Sequence, residues 1–148
     1  MTRDTGVAIH SDALLGKRVL LAISGGIAAV ESVRLARELR RHQADLTVIM
    51  SEEATKIITP LAVSWGSDTI VHQGWASKMS QLDHFDVTLI APATRNTISK
   101  HVHGIMDSPL LMALSASRGR KSKLCFVPSM HTDLFDDPVT TELLDALR

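Results

Sequence analysis

The sequence has no tyrosine, and its other aromatic side chains are two tryptophans and three phenylalanines. Proteins that bind single-stranded nucleic acid stack bases on aromatic side chains, so this scarcity argues against such a role. Sixteen basic residues are balanced by sixteen acidic ones, which gives a net charge of zero and leaves no broad basic surface for a duplex. We therefore expect no nucleic-acid partner.

Cysteine is almost absent as well. Because Cys125 is the single cysteine, no disulfide can form within the chain, which predicts a reducing compartment and a cytoplasmic location. We expect no signal peptide over Met1–Leu15 and no membrane partner, since no apolar run approaches the ~20 residues that span a bilayer. No HExxH motif or other convincing spacing of metal ligands occurs, so we expect no metal site.

The most informative stretch runs from Val19 to Arg41. It begins with the short apolar run Val19–Ile23, which is typical of a parallel strand buried on both faces. Gly25 and Gly26 allow a sharp turn, and the apolar positions from Ala28 onward fall on one face of a helix. A strand, a glycine turn and a helix N-terminus together favour a bound phosphate. The same pattern also occurs as a simple tight connection, because glycine is common in turns generally.

Further short apolar runs indicate more strands, at Leu46–Met50, Val87–Ala91 and Lys123–Val127. Alternating strands and helices predict an α/β fold, here a three-layer Rossmann-like or flavodoxin-like doubly wound parallel sheet. In such a sheet, ligands bind outside the carboxyl ends of the strands. We therefore expect the turns Ser24–Gly26, Pro92–Thr97 and Pro128–His131 to line one crevice.

The remaining segments carry weaker predictions. Residues 1–16 are expected to form a loose arm or a short oligomer contact, followed by one domain over residues 17–148. Helices are expected at Glu52–Ile58, Thr59–Trp65, Thr97–His103 and Leu110–Ser117, with a last one after Pro138 that turns Leu143, Leu144 and Leu147 inward. Glycine is expected to end two of them, at Gly66 and Gly104, while Asp107 is a candidate cap and Cys125 a candidate buried side chain. Trp75, Met79 and Leu82 have the spacing of one helix face.

Four motifs in a fixed order carry a resemblance to a known family. They are S-G-G-I-A-A from Ser24, A-P-A-T-x-N-T from Ala91, G-x-x-D-x-x-L-L from Gly104 and P-x-M from Pro128. Together they resemble the flavin-containing cysteine decarboxylase superfamily, whose members include phosphopantothenoylcysteine decarboxylase, lantibiotic peptide decarboxylases, flavin prenyltransferases and reductases such as dihydromethanopterin reductase. Ser51–Ala62 is similar to the phosphopantothenoylcysteine decarboxylase branch. The resemblance covers nearly all of the chain from Lys17 onward.

This resemblance implies an FMN-binding domain that assembles as homo-oligomeric trimers, grouped in some members into dodecamers or larger shells. The residues that it implies for cofactor binding are Ser24, Gly25, Gly26, Ile27, Ser51, Ala91, Pro92, Ala93, Thr94, Asn96 and Met130. The first four would hold the phosphate end, and Met130 would pack near the isoalloxazine. Asn96 would face the substrate or the flavin edge. Ser51 can equally be a helix cap.

The chain departs from the decarboxylase pattern at several positions. Lys78 stands where the decarboxylases have a catalytic His, and the two side chains differ by about four units in reference pKa. His131 replaces an Asn that grips the substrate carboxylate, and Arg95 replaces a small residue. The family's cysteine-bearing C-terminal flap has no counterpart up to Arg148.

We therefore expect an FMN-dependent oxidoreductase that passes electrons to a small acceptor such as a pterin, with Asn96, His131 and Lys78 as catalytic candidates. One alternative is a decarboxylase of phosphopantothenoylcysteine or of a peptidyl cysteine. Another is a non-catalytic flavin-binding regulatory module. For single residues, His131 can instead be a strand-end side chain bonded to the backbone, and Lys78 and Arg95 can be solvated surface charges.

Overall fold

The computed structural model describes residues 5–148, so the first four residues of the expected arm lie outside it. The strands are β1 (Arg18–Ile23), β2 (Asp45–Met50), β3 (Val71–His72), β4 (Val87–Ala93) and β5 (Lys123–Pro128). The helices are α1 (Ser32–Arg41), α2 (Glu52–Thr55), α3 (Pro60–Ser67), α4 (Arg95–Val102), α5 (Pro109–Gly119), α6 (Thr132–Asp136) and α7 (Pro138–Ala146). Two 3₁₀ turns cover Ile27–Glu31 and Ser80–Leu82.

The five strands form one parallel sheet in the order β3-β2-β1-β4-β5. From β1 the chain first builds the sheet outward through β2 and β3, and then returns to β1's other edge with β4 and β5. The predicted doubly wound α/β fold is therefore confirmed. The order reverses between β1 and β4, and in sheets of this kind ligands bind at that point, outside the carboxyl ends of the strands.

The core consists of two apolar layers, one on each face of the sheet. Leu21 and Ile23 of β1 pack with α1 and α3 on one face, while Leu20 and Ala22 pack with α5 and α7 on the other. Successive side chains of a strand point to opposite faces. Burial of both faces explains why β1 is an uninterrupted apolar run.

The helix α3 extends one residue beyond the predicted end at Gly66. Asp68, with a φ of 52°, ends the helix in the left-handed conformation. Gly66 is instead required by packing, because a Cβ at this position would lie 2.9 Å from Val33 Cγ1 of α1. The expectation that Gly66 ends the helix was therefore wrong, whereas Gly104 follows α4 with a φ of 73°, as predicted.

The edge strand β5 differs most from its predicted environment. Cys125 is exposed, because β5 pairs only with β4 among the described residues and its side chains are largely solvent-accessible. The expectation of a buried Cys125 was therefore wrong.

The strand β5 is followed by α6, a helix that the sequence pattern did not predict. Leu143 of α7 is buried as expected.

Two further expectations need correction. The segment from Gln73 to Met79 is irregular, with Trp75 59% exposed, so Trp75 and Leu82 do not share a helix face. The arm is not loose over its described part, since the His10 N–H donates to the Arg41 carbonyl at 2.8 Å. Across residues 5–148, no helix combines the length and apolarity that a bilayer crossing requires.

Candidate functional site

The end of β1 is tied to the end of β4 by Ser24. Its side chain is fully buried, and its Oγ donates to the Pro92 carbonyl at 2.6 Å and accepts from the Thr94 N–H at 2.9 Å. These partners leave Ser24 positioned behind the crevice rather than in it. A direct contact between Ser24 and a cofactor, expected from the resemblance, stays a prediction, and the structure gives this residue a role in placing the two turns.

The glycine turn after Ser24 is closely packed, and at Gly25 it leaves no room for a side chain. A Cβ at Gly25 would lie 2.4 Å from Glu53 Cβ, and one at Gly26 would lie 3.3 Å from Thr94 Cγ2. The backbone of this turn therefore runs between the start of α2 and the start of α4. The next residue, Ile27, is 79% exposed, so its side chain lies outside this closely packed region.

Three helices begin at the same cavity, which has a volume of about 330 Å³. Their N-cap residues Ser51, Thr94 and Ser108 line it, and each side-chain oxygen accepts from the backbone N–H three residues further on, at 3.1 to 3.2 Å. Helix N-termini carry partial positive charge and unpaired N–H groups. Their convergence makes this first cavity favourable for an anion. For Ser51, the capping alternative is confirmed, while contact with a cofactor stays a prediction.

Charged side chains also border the first cavity. Lys100 forms an ion pair with Asp107 at 2.7 Å, and both line the cavity with Glu52 and Glu53. Ser108 caps α5, so the expectation that Asp107 is the cap was wrong. Among the described lining residues, Lys100 carries the one positive charge, and the anion affinity of the cavity therefore depends mainly on backbone N–H groups.

Two more cavities adjoin the first. The second, of about 320 Å³, is bordered by Trp75 and shares Ser51 and Ser108 with the first. The third, of about 450 Å³, lies between the start of α4 and the segment after β5, and shares Thr94 and Asn96 with the first. Asn96 lines both the first and the third cavity, and its side chain is exposed.

Of the predicted cofactor residues, Gly25, Ser51, Thr94 and Asn96 line the first cavity. Met130 lines the third cavity opposite Asn96. Ala91 and Pro92 border a separate apolar groove, and Ala93 is buried. His131 is exposed, and its Nδ1 accepts from the Asp133 N–H at 3.2 Å, as the backbone-bonded alternative proposed. Lys78 lies in the exposed segment after β3, outside the lining of the cavities described above.

Two side chains of α4 make tertiary contacts that the sequence did not predict. Burial and the nearby Arg118 charge lower the pKa of His101 to about 4, and its ring lies 5.4 Å from the ring of Phe126. Arg95 forms an ion pair with Asp137 at 2.6 Å. The burial of His101 depends on the tertiary packing of α4, and the ion pair of Arg95 joins residues that are distant in sequence. Neither feature has a local sequence pattern that predicts it.

Comparison with protein families gives a match over most of the chain. The family model described as Flavoprotein matches residues 7–148. The Coenzyme A biosynthesis bifunctional protein CoaBC of Thermococcus kodakarensis is 37% identical over 148 residues, which cover 95% of this chain and 36% of that protein. CoaBC of Methanocaldococcus jannaschii is 35% identical over 129 residues, covering 85% of this chain and 32% of that protein. The chain thus spans about a third of the length of these relatives.

Solved structures share the fold. The FMN-dependent cysteine decarboxylase SpaF matches with a TM-score of 0.84 and 23% identity, covering 92% of this chain and 81% of that one. A mutant PPC decarboxylase complexed with pantothenoylaminoethenethiol matches with a TM-score of 0.74 and 23% identity, covering 88% of this chain and 76% of that one. At these identities the similarity establishes the architecture, and the functional assignment depends on the sequence relatives.

These matches confirm the resemblance read from the four motifs and correct the expected chemistry. The oxidoreductase expectation was wrong, because the relatives are CoaBC proteins and the structural neighbours are decarboxylases. It depended on a few departures from the decarboxylase pattern, at Lys78, Arg95, His131 and the C-terminal flap, and a flavin can serve either kind of reaction. Similarity along the whole chain outweighs those departures.

Proposed function

Since this chain belongs to the Flavoprotein family, we propose that it binds FMN in the crevice above β1, β2 and β4 and decarboxylates a thiol-containing substrate of the phosphopantothenoylcysteine type. The observation that carries the proposal is the 37% identity to CoaBC over 95% of the chain. FMN is the cofactor supported by the family and by the FMN-dependent decarboxylases that share the fold. The proposed activity concerns the third of those relatives that this chain matches.

The residues present fit a phosphorylated cofactor. Gly25 lines the first cavity, its Cβ position is occupied by Glu53, and three capped helix N-termini converge beside it. We assign the phosphate end to the turn Gly25–Ile27 and to Ser51. Ala91–Thr94 would then run beside the cofactor, and Asn96 and Met130 would border its ring end. Ser24 is assigned the support of this turn through its bonds to the β4 end.

FMN supplies the redox chemistry that allows carbon dioxide to leave a cysteine-type substrate. The chain's own groups would orient that substrate. The amide of Asn96 offers both a donor and an acceptor where the first and third cavities meet. Because His131 Nδ1 accepts a backbone N–H, a neutral ring carries its proton on Nε2, which can donate to a substrate carboxylate. Lys78 stays a predicted third participant, on the exposed segment after β3.

The test is a product assay on the purified chain loaded with FMN. We expect release of carbon dioxide from 4′-phosphopantothenoylcysteine at a rate proportional to bound FMN, with the apo-protein as control. Oxidised FMN bound stoichiometrically but no carbon dioxide release from either this substrate or a C-terminal-cysteine peptide would overturn the assigned reaction. Such a result would leave the flavin site intact.

We further propose a homo-oligomer, with a trimer as the first expectation, in the cytoplasm. Support comes from apolar side chains that remain exposed near the carboxyl edge of the sheet, with Ile27 79%, Val127 47% and Phe135 56% exposed. Large exposed apolar side chains are typical of interaction surfaces. Light scattering coupled to size exclusion would give the subunit number, and a monomer at micromolar concentration would contradict the proposal.

A further inference from the structure

We propose that Arg95 and Asp137 form an ionic latch that holds the segment Ser129–Leu134 against the start of α4. This segment and the α4 start are the two walls of the third cavity. The latch would thereby set the cavity's width and act as a positioning device for whatever occupies it. The identity of that occupant, though not the latch itself, rests on the proposed function.

The ion pair between Arg95 and Asp137 is short and only partly exposed to solvent. Arg95 Nη1 lies 2.6 Å from Asp137 Oδ2 and 3.3 Å from Thr140 Oγ1. The side chain of Arg95 is 28% exposed and that of Asp137 is 35% exposed. Charge-assisted hydrogen bonds of this length are among the stronger ones in proteins. Arg95 is also the first residue of α4, where the helix dipole disfavours a cation, so the carboxylate offsets an unfavourable placement.

The same pair is connected to the far wall of the cavity. Asp137 Oδ1 caps α7 by accepting from the Val139 N–H at 3.1 Å. Thr140, which is 1% exposed, donates its hydroxyl to the carbonyl of Leu134 in α6. Leu134 lines the third cavity, so one continuous set of polar contacts links α4, α7 and α6.

The segment is tied to the sheet at its start, where the Ser129 N–H donates to the Ala93 carbonyl at 3.1 Å, but its later part has few buried contacts. None of the residues of α6 is buried, and its apolar side chains Leu134 and Phe135 are 46% and 56% exposed. A five-residue helix cannot sustain itself by propagation of its own hydrogen bonds. The placement of the later part of the segment, up to Leu134, therefore depends on the contacts through Thr140 and the latch, and loss of the latch should release that part first.

The experiment is hydrogen exchange of the full chain, with Arg95→Met and Asp137→Asn made singly and together. Asn retains the capping oxygen, so Asp137→Asn removes the charge without removing the α7 cap. We expect each variant to speed exchange over residues 129–136 by on the order of tenfold, as for loss of a charged hydrogen bond. The double variant should exceed neither single one, and Arg95→Lys should restore part of the protection.

Arg41→Met is the matched control, because Arg41 pairs with Glu38 at 3.0 Å on α1. It should leave residues 129–136 unchanged. Unaltered exchange of this segment in both latch variants, or effects of the two substitutions that simply add, would overturn the latch. A second readout is FMN affinity, which we expect to fall about tenfold in both variants. A wild-type chain that binds no FMN would overturn the proposed function, and the exchange data would still decide the latch.

Discussion

Ser24 Oγ donates to the backbone carbonyl of Pro92 at 2.6 Å, across the point where the strand order of the sheet reverses. The same oxygen accepts from the Thr94 N–H, which begins the turn into α4. One hydroxyl thus fixes the relative position of the glycine turn and the α4 N-terminus. Both elements border the crevice assigned to FMN, so this side chain contributes directly to the geometry of the site.

Ser24→Ala should lower both stability and cofactor affinity. Removal of the hydroxyl leaves the part-buried Thr94 N–H without its partner, at a cost of about 1–3 kcal/mol in the free energy of unfolding. Urea denaturation and FMN titration measure the two effects. Ser64→Ala serves as control, because Ser64 Oγ bonds to the Leu61 carbonyl on an exposed turn of α3. Equal stability losses in the two variants would contradict the role given to Ser24.

Gly25→Ala should impair the site by a steric route. Its Cβ would come within 2.4 Å of Glu53 Cβ and 3.0 Å of the Glu53 carbonyl carbon, so the backbone of α2 has to move. Overpacking of this kind costs roughly 1–3 kcal/mol. FMN binding measured by fluorescence quenching should weaken accordingly. Gly119→Ala meets no atom within 4 Å and should bind FMN as the wild type does; an identical affinity for Gly25→Ala would refute the steric argument.

The stability of the chain should rise with pH between about 4 and 6.5. Burial, together with the Arg118 charge, lowers the pKa of His101 from 6.5 to about 4, so in this range the unfolded chain binds a proton that the folded chain does not. Unfolding then becomes easier as the pH falls. Chemical denaturation at pH 4.5 and 7 gives the slope, and His101→Gln should flatten it. If His103→Gln, a change at an exposed neighbour, flattens it as much, the assignment fails.

Lys78→His should raise the rate of decarboxylation, because it introduces the residue type that the resemblance implies at this position. A positioned acid or base contributes typically 10²- to 10⁴-fold, and His titrates nearer neutral pH than Lys. Carbon dioxide release between pH 6 and 8 is the measurement, with Lys17→His as a control at another exposed lysine. A lower rate in Lys78→His would instead indicate that Lys78 itself is the active group.

The sequence predicted the parts of the site that depend on local pattern. The apolar run of β1, the glycine turn and the capping alternative for Ser51 follow from strand periodicity, backbone freedom and hydroxyl capping, and the structure contains all three. It did not predict the need for glycine at position 66, because that need arises from contact with Val33 of another helix.

Tertiary relationships account for the other differences. The sequence pattern predicts Cys125 as a buried strand residue, but in the described chain β5 lies at the edge of the sheet and Cys125 is exposed. The local sequence pattern does not determine the order of the strands. The ion pair of Arg95 with Asp137 joins residues forty-two positions apart. The chemistry was misjudged for a related reason, since the substitutions at Lys78 and His131 say nothing about what the rest of the chain retains.

The most direct test of the account is the stoichiometry of FMN binding, measured by equilibrium dialysis and visible absorbance of the purified full chain. The convergence of the glycine turn with three capped helix N-termini predicts a yellow protein that retains one FMN per chain. A preparation that stays colourless after equilibration with excess FMN, while folded by circular dichroism, would contradict the central claim.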